Sequence, residues 1–152
     1  MRKLLLLSSL VLSAAWPQDR PELNGVWRLD AAHSTFSETR LKAQTLSIKQ
    51  EDESIKVEET ATEESGKERK LEYECNTNGK ECTLKLNGQA VKISAYYNGA
   101  VLVMIEQRKG SDYRKRLKTS EDGKTLTIEI GNLGKPGQKP DSMVYAKQDA
   151  AK

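Results

Sequence analysis

Apolar and polar residues alternate with a period of two along most of the chain after residue 22. Turn residues interrupt this alternation at short intervals, and helical periodicity is almost absent. The pattern predicts about ten short antiparallel strands joined by turns of hairpin length. The predicted strands cover residues 25–30, 44–49, 54–62, 69–75, 82–86, 91–95, 100–107, 112–119, 125–131 and 142–147.

A ribbon of hairpins with one apolar face buries that face, and removes its exposed edges, when it curls and closes on itself. We therefore predict an all-β fold over residues 22–148, a single antiparallel up-and-down β-barrel of about 8–10 strands. A β-sandwich is the alternative, but its crossover connections need longer loops than this chain provides. The nearly continuous apolar run at 101–105 predicts a strand that is covered on both faces.

The N-terminal segment, residues 1–15, has the order of a secretory signal peptide. Arg2 and Lys3 precede an apolar run, and small residues follow that run. The run is too short to span a bilayer comfortably, and a retained anchor is the alternative. Cleavage would give a secreted or periplasmic protein whose net charge falls by two, from +3 to +1. So small a net charge gives little support for nucleic-acid binding. We expect residues 149–152 to be a disordered tail.

Cys75 and Cys82 are the two cysteines of the chain. In an exported protein a nearby pair favours a disulfide over a metal or redox site. Zinc would also need further ligands, and His33 is the single histidine. The tight-turn sequence Asn78-Gly79 lies between the cysteines, and it predicts that the two cysteines end and begin the strands of one hairpin.

Three segments resemble the calycin superfamily, which comprises the lipocalins and the intracellular fatty-acid-binding proteins. The stretch NGVWRLD is similar to the G-x-W opening of the family's first strand, SEDGKTLTIEIG to its late hairpin, and SMVYAK to its final strand. In this order they cover most of residues 23–147, and the chain also resembles small exported lipocalin-like proteins of bacteria. The resemblance implies that Trp27 packs across the closed end as the barrel floor, under a basic side chain from a late strand.

Two departures from the family pattern bear on function. Intracellular fatty-acid-binding proteins carry a helix-turn-helix lid between their first two strands, and here about a dozen residues leave no room for it. Those proteins also hold the fatty-acid carboxylate with an Arg-x-Tyr pair on the last strand. Met143 and Tyr145 occupy the matching positions, so carboxylate capture in that style is not expected.

The strand at 112–119 admits two registers. If Leu117 faces the lumen, Lys115 does so as well, and a buried amine would need an anion or a hydroxyl as its partner. The opposite register buries Arg114 and Arg116 instead. A fully solvated basic strand is a third reading. As outward groups, Arg114, Arg116 and Lys118 predict a weak contact with anionic head groups or a membrane surface.

The residue combinations that enzymes need are missing from the sequence. No serine or cysteine has the context of an activated nucleophile, and no phosphate-binding glycine loop or metal-spaced cluster is present. Glu58 and Glu59 are adjacent on a predicted strand, so they point to opposite faces and cannot share one reacting atom. The sequence therefore predicts a protein that is not an enzyme and that needs no cofactor or metal.

The function that fits best is the binding of a small hydrophobic or amphipathic, lipid-like molecule inside the barrel. A barrel filled by its own side chains, acting through its outer surface, is the alternative. A continuous internal cavity of several hundred Å³ would favour the first. The predicted lining is Ile55, Val57, Leu71, Tyr73, Leu84, Ile93, Val103, Lys115, Leu126, Ile128 and Tyr145.

Overall fold

The computed structural model describes residues 20–37, 41–86 and 88–149, so the predicted signal peptide and the last three residues lie outside the described part. The described residues form one ten-stranded sheet, and no helix among them has the length and apolar character that a membrane span requires. The strands are β1 (Gly25–Leu29), β2 (Leu41–Gln50), β3 (Ser54–Glu63), β4 (Glu68–Asn76), β5 (Asn78–Leu86), β6 (Gln89–Asn98), β7 (Val101–Arg108), β8 (Ser111–Thr119), β9 (Thr125–Asn132) and β10 (Asp141–Lys147).

The sheet curls into a nearly closed barrel because its first and last strands pair. β1 runs antiparallel to β10, with Trp27 opposite Lys147, and every other ladder joins neighbours in sequence. β4 and β5 form the two edges of the sheet, although Thr77 alone separates them in the chain. The predicted all-β up-and-down barrel is confirmed, and each predicted strand is present.

Several strand boundaries differ from the prediction by one to four residues. β2 begins at Leu41, three residues early, and β5 begins at Asn78 rather than at Cys82. The Asn78-Gly79 pair was expected to form the reversal itself. Gly79 does adopt a positive φ of 84°, but it lies inside β5 at a register shift between Asn78 and Glu81. The left-handed residue therefore produces a bulge, and the reversal occurs at Thr77.

A disulfide joins the two edge strands at the end where the chain connects them. Cys75 of β4 and Cys82 of β5 form this bond, as predicted, and their Cα atoms are 5.5 Å apart. Cys75 is buried in the core cluster, and Cys82 packs against it. The sheet has no ladder between β4 and β5, so the covalent link takes the place of strand pairing there.

Replacing both cysteines with alanine should lower the free energy of unfolding by about 2–3 kcal/mol, the closure entropy of so short a loop. Guanidinium unfolding of the double variant measures the loss. Adding a dithiol reductant to the wild type should produce a similar decrease, and it should leave the double variant unchanged. Equal stability of the oxidised wild type and the double variant would contradict this.

Trp27 lies fully buried at the end of the barrel where β10 terminates. Its indole Nε1 donates a hydrogen bond to the Leu23 carbonyl oxygen at 2.8 Å, and the Lys147 ammonium lies 5.2 Å from the ring centroid. Gly25 has a φ of 129°, and a Cβ there would come within 2.9 Å of Lys147 Cε. The G-x-W opening thus combines a glycine that leaves room for a lysine with a tryptophan that the lysine covers.

The residues before β1 cover this same end of the barrel. Gln50, the last residue of β2, accepts a hydrogen bond from the Leu23 amide and donates to the Pro21 carbonyl and the Tyr97 hydroxyl. The Arg20 guanidinium lies over the Tyr97 ring at 4.7 Å. Leu23 is fully buried beneath these contacts, so the end containing Trp27 is packed shut.

The connection between β1 and β2 contains a strap, residues 30–37, with one short 3-10 turn at Ala31–His33. The strap is fastened to β10: Thr35 and Ser142 exchange backbone hydrogen bonds, the Ser34 hydroxyl accepts from the Val144 amide, and the Ser37 amide donates to Asp141. In the described part of this connection no helix-turn-helix lid is present, as predicted.

Candidate functional site

The barrel encloses a cavity of about 220 Å³ in the half away from Trp27. Phe36 of the strap and Asp141 at the start of β10 stand among its lining residues, together with side chains from β2, β3, β4, β7, β8 and β9. The volume lies below the roughly 300–1,000 Å³ of typical ligand pockets, which indicates a small ligand. Its apolar wall includes Leu41, Leu46, Ile48, Met104, Leu117 and Met143.

Five of the residues predicted to bind ligand line this cavity: Val57, Tyr73, Lys115, Ile128 and Tyr145. Leu71 and Leu84 line a second, smaller cavity of about 40 Å³. That side cavity also contains residues of both edge strands, β4 and β5. It shares four charged lining residues with the main cavity: Glu59, Arg69, Arg108 and Lys115.

Four of the predicted residues lie elsewhere. Ile55, Ile93 and Leu126 are fully buried in the core and face inward, but they do not line the cavity. Val103 is buried but lies outside the core cluster, because Leu102 and Met104 occupy the inward positions of β7. Successive side chains of a strand point to opposite faces, so Val103 points outward.

The register of β8 is the first of the two alternatives. Leu102 pairs with Leu117 and Met104 with Lys115, which turns Lys115 and Leu117 inward. The three alternating bases of β8 are exposed on the outer face. Two of them approach Glu129 of β9, at 3.5 Å and 3.4 Å, and so are partly neutralised. These outward bases are Arg114, Arg116 and Lys118.

The anionic partner of Lys115 is a side chain of the protein itself. Its ammonium forms an ion pair with Glu106 of β7, whose carboxylate is 4% exposed. The same carboxylate accepts hydrogen bonds from Arg108, at 3.1 Å from Nε and 2.5 Å from Nη2. Burial alone would raise the pKa of Glu106, but the charges and hydrogen bonds of Lys115 and Arg108 outweigh burial and lower it. Burial acts to lower the pKa of Lys115, and the charge of Glu106 raises it overall.

A second ion pair lies on the neighbouring wall of the cavity. Glu59 of β3 points inward, and its Oε1 accepts a hydrogen bond from Arg69 Nη2 of β4 at 2.7 Å. Two tyrosines complete the polar lining. Burial raises the pKa of Tyr73 to about 12, so its phenol is neutral. The Tyr145 hydroxyl donates to the buried Gln44 side chain at 2.6 Å, and burial raises the pKa of this tyrosine well above its usual value.

Sequence reasoning did not select Glu59, Arg69, Glu106 or Arg108 as site residues. Their strand parity could have indicated them. Glu59 shares an inward face with Val57, and Glu106 shares one with Met104. A charged residue on the apolar face of a strand is a rare event that marks an internal ion pair or a site. The Glu59 side chain is 11% exposed, in agreement with its inward parity on β3.

No family model and no curated protein sequence matches this chain. Solved structures do. Secretory abundant heat soluble protein 4 from Ramazzottius varieornatus is 15% identical, with a TM-score of 0.64 over 83% of this chain and 94% of its own. The fatty acid transporter REP1-NXSQ is 13% identical, with a TM-score of 0.60 over 85% and 98%. A fatty-acid-binding protein from Manduca sexta is 13% identical, with a TM-score of 0.55 over 82% and 98%.

These likenesses show the fold at identities too low to carry more. The chain has the calycin-like barrel of the fatty-acid-binding proteins, as its motifs predicted. The alignments span almost the full length of each solved chain, so the shared feature is the whole barrel rather than one hairpin.

Proposed function

We propose that this protein is an exported binding protein that holds a small amphipathic, lipid-like molecule in the barrel cavity, and that it is not an enzyme. The observation that carries the proposal is the cavity of about 220 Å³, which is lined both by apolar side chains and by ionised or hydroxyl groups. Burial of the ligand's apolar surface would supply most of the affinity, and the polar groups would set its orientation.

The interior lies between the two predicted cases, because its cavity of about 220 Å³ is smaller than several hundred Å³ and yet the barrel is not packed throughout. Trp27, Leu23 and Leu126 are fully buried toward the closed end, and the space left in the other half supports a small ligand rather than a self-filled interior. Two of the similar barrels are named a fatty acid transporter and a fatty-acid-binding protein, which supports a lipid-like guest for this one.

Export is supported by the order of residues in the N-terminal segment and by the disulfide, which suits an oxidising compartment. The contact of the outer bases of β8 with anionic head groups stays a prediction. Glu129 offsets Arg116 and Lys118, so Arg114 would contribute most of such a contact.

Filling the cavity tests the proposal. Ile128 lines the cavity, and Ile128→Trp should reduce the affinity for the neutral apolar fluorophore phenylnaphthylamine by about tenfold or more, because an indole would occupy the ligand's space. Thr127→Trp is the matched control, since it adds the same group one residue away on the outer face of β9 and should leave binding unchanged. Fluorescence titration measures both affinities.

Thermal unfolding of both variants shows whether the inward tryptophan is tolerated. Met143→Trp fills the same cavity from β10 if Ile128→Trp does not fold. Phenylnaphthylamine binding that is absent from the wild type, or equal in the wild type and in a folded cavity-filled variant, would overturn the proposal. Either result would favour the alternative, a barrel that acts through its outer surface.

A further inference from the structure

Five ionised side chains from β3, β4, β7 and β8 form salt bridges with one another inside the barrel. Asp141 of β10 also lines the main cavity, but it has no salt bridge to them among the described residues. We call Glu59, Arg69, Glu106, Arg108 and Lys115 the ion cluster, and it contains three cations and two carboxylates. The cluster lies where the main and side cavities meet, since four of its members line both. One positive charge therefore has no carboxylate within the cluster.

The hydrogen bonds show which cation is least satisfied. Glu106 binds Arg108 through two nitrogens and also pairs with Lys115, so these two cations share one well-placed carboxylate. Arg69 contacts Glu59 through Nη2 alone. The Nε of Arg69 is buried and has no hydrogen-bond partner among the described residues. A buried guanidinium N–H without an acceptor is costly, so this donor is suited to an acceptor that the protein itself does not supply.

The charges of the cluster persist at neutral pH. The pKa of Glu106 is lowered and that of Lys115 is raised, so both stay ionised, and arginine does not lose its proton in proteins. A buried part of a cation that lacks a partner is destabilising unless an anion or water solvates it. An anion held there would gain charge-assisted hydrogen bonds, which are stronger than those to neutral groups.

We propose that the ligand carries a compact anionic group, such as a carboxylate, sulfate or phosphate monoester, and that Arg69 is the residue that selects it over a neutral polar group. The inference rests on the proposed function, because it assigns the chemistry of the polar end of the same ligand. The anion lies against β4 and the β4–β5 gap. Met143 on β10, where the motif resemblance would have placed an arginine, contributes only apolar surface.

Ligands that differ only in the head group test the inference. Decanoate, decyl sulfate and decyl phosphate are compared with decanol in displacing phenylnaphthylamine from the wild type. At least one anion should bind about 10- to 100-fold more tightly than decanol. Arg69→Gln should remove this preference, so that the anions bind this variant no more tightly than decanol does. Arg114→Gln makes the same charge change on the outer face of β8 and should preserve the preference.

Two further variants distinguish the effect of the Arg69 hydrogen-bond donors from the effect of the cluster's net charge. Glu59→Gln removes the negative charge that pairs with Arg69 and leaves only a weaker, neutral acceptor, so it should increase the affinity for the preferred anion, an effect that a purely structural role would not give. The double variant Glu59→Gln with Arg69→Gln keeps the net charge of the cluster but should lose the anion preference. Circular dichroism and thermal unfolding verify that each variant folds. If Arg69→Gln does not fold, Glu59→Gln still tests the inference.

The possible results are distinct. Equal affinity of the wild type for decanol and all three anions would overturn the inference and leave the proposed function intact. The inference would also be overturned if the anion preference survived in Arg69→Gln, or if Arg114→Gln removed it equally. Failure of all four compounds and of phenylnaphthylamine to bind would overturn the proposed function as well.

Discussion

Replacing Trp27 with alanine should lower the free energy of unfolding by about 3–5 kcal/mol, the typical effect of deleting a fully buried tryptophan. The side chain is 0% exposed, and its indole N–H satisfies the Leu23 carbonyl. Its removal also leaves Lys147 without the aromatic face that it covers. Because the surrounding side chains can collapse only partly into the volume of an indole, some of that space would stay empty. Urea unfolding followed by circular dichroism measures the loss.

Two control variants separate the ring from its position. Trp27→Phe keeps most of the apolar volume but loses the hydrogen bond to Leu23, so it should destabilise by clearly less than alanine does. Val26→Ala changes the adjacent residue, which is 41% exposed on the outer face, and should stay within about 0.5 kcal/mol of the wild type. If Trp27→Ala were as mild as Val26→Ala, the tryptophan would not act as the barrel floor.

The strand order and the barrel were predictable because they depend on alternation, which one sequence displays directly. β9, for example, alternates Leu126, Ile128 and Ile130 with residues of the outer face, and a shift of one residue would expose all three. The turn at Asn78-Gly79 was less predictable. A glycine with positive φ fits a tight turn and a bulge equally well, and the disulfide and the edge position of β5 favour the bulge.

The site was only half predictable, because alternation gives the face of a side chain and not its depth along the barrel. Ile55 and Val57 have the same parity on β3, yet Ile55 packs in the filled half and Val57 lines the cavity. On β7 even the face of a side chain could not be predicted. Apolar residues occupy both the odd and the even positions, so Val103 could be placed on either side. The depth of a side chain along the barrel depends on how side chains pack around Trp27. That packing involves contacts between strands that are distant in the sequence.

The inward charges were hidden for a different reason. The sequence around Glu59 and Glu106 does not show that Arg69 and Lys115 pair with them, because these two cations come from other strands. Lys115 was recognised as a candidate inward amine that would need a partner. That partner is Glu106, nine residues before it, through the pairing of β7 with β8. Ladder register brings these side chains together, and the register of β8 was open until the fold was known.

Replacing Glu106 with glutamine should lower the free energy of unfolding by about 3–5 kcal/mol, because it removes a buried carboxylate and leaves the mostly buried Lys115 and the partly exposed Arg108 without their counter-ion. Changing Lys115 to glutamine as well removes one of these uncompensated charges. The double variant should therefore be more stable than Glu106→Gln alone, and chemical denaturation of both singles and the double measures the coupling. Strictly additive losses would contradict a shared ion pair.

The pH dependence gives an independent test of the same pair. The pKa of Glu106 is lowered in the folded state, so its contribution is fully present above the ordinary value of 4.5 and is lost as the pH falls through the lowered pKa. The stability difference between the wild type and Glu106→Gln should thus be constant near neutral pH and shrink on acidification. Glu72→Gln is the matched control: Glu72 pairs with Lys56 on the outer face at 62% exposure, and its loss should change stability by less than about 1 kcal/mol. If Glu106→Gln lost stability on acidification in the same way as the wild type, that loss would come from other carboxylates.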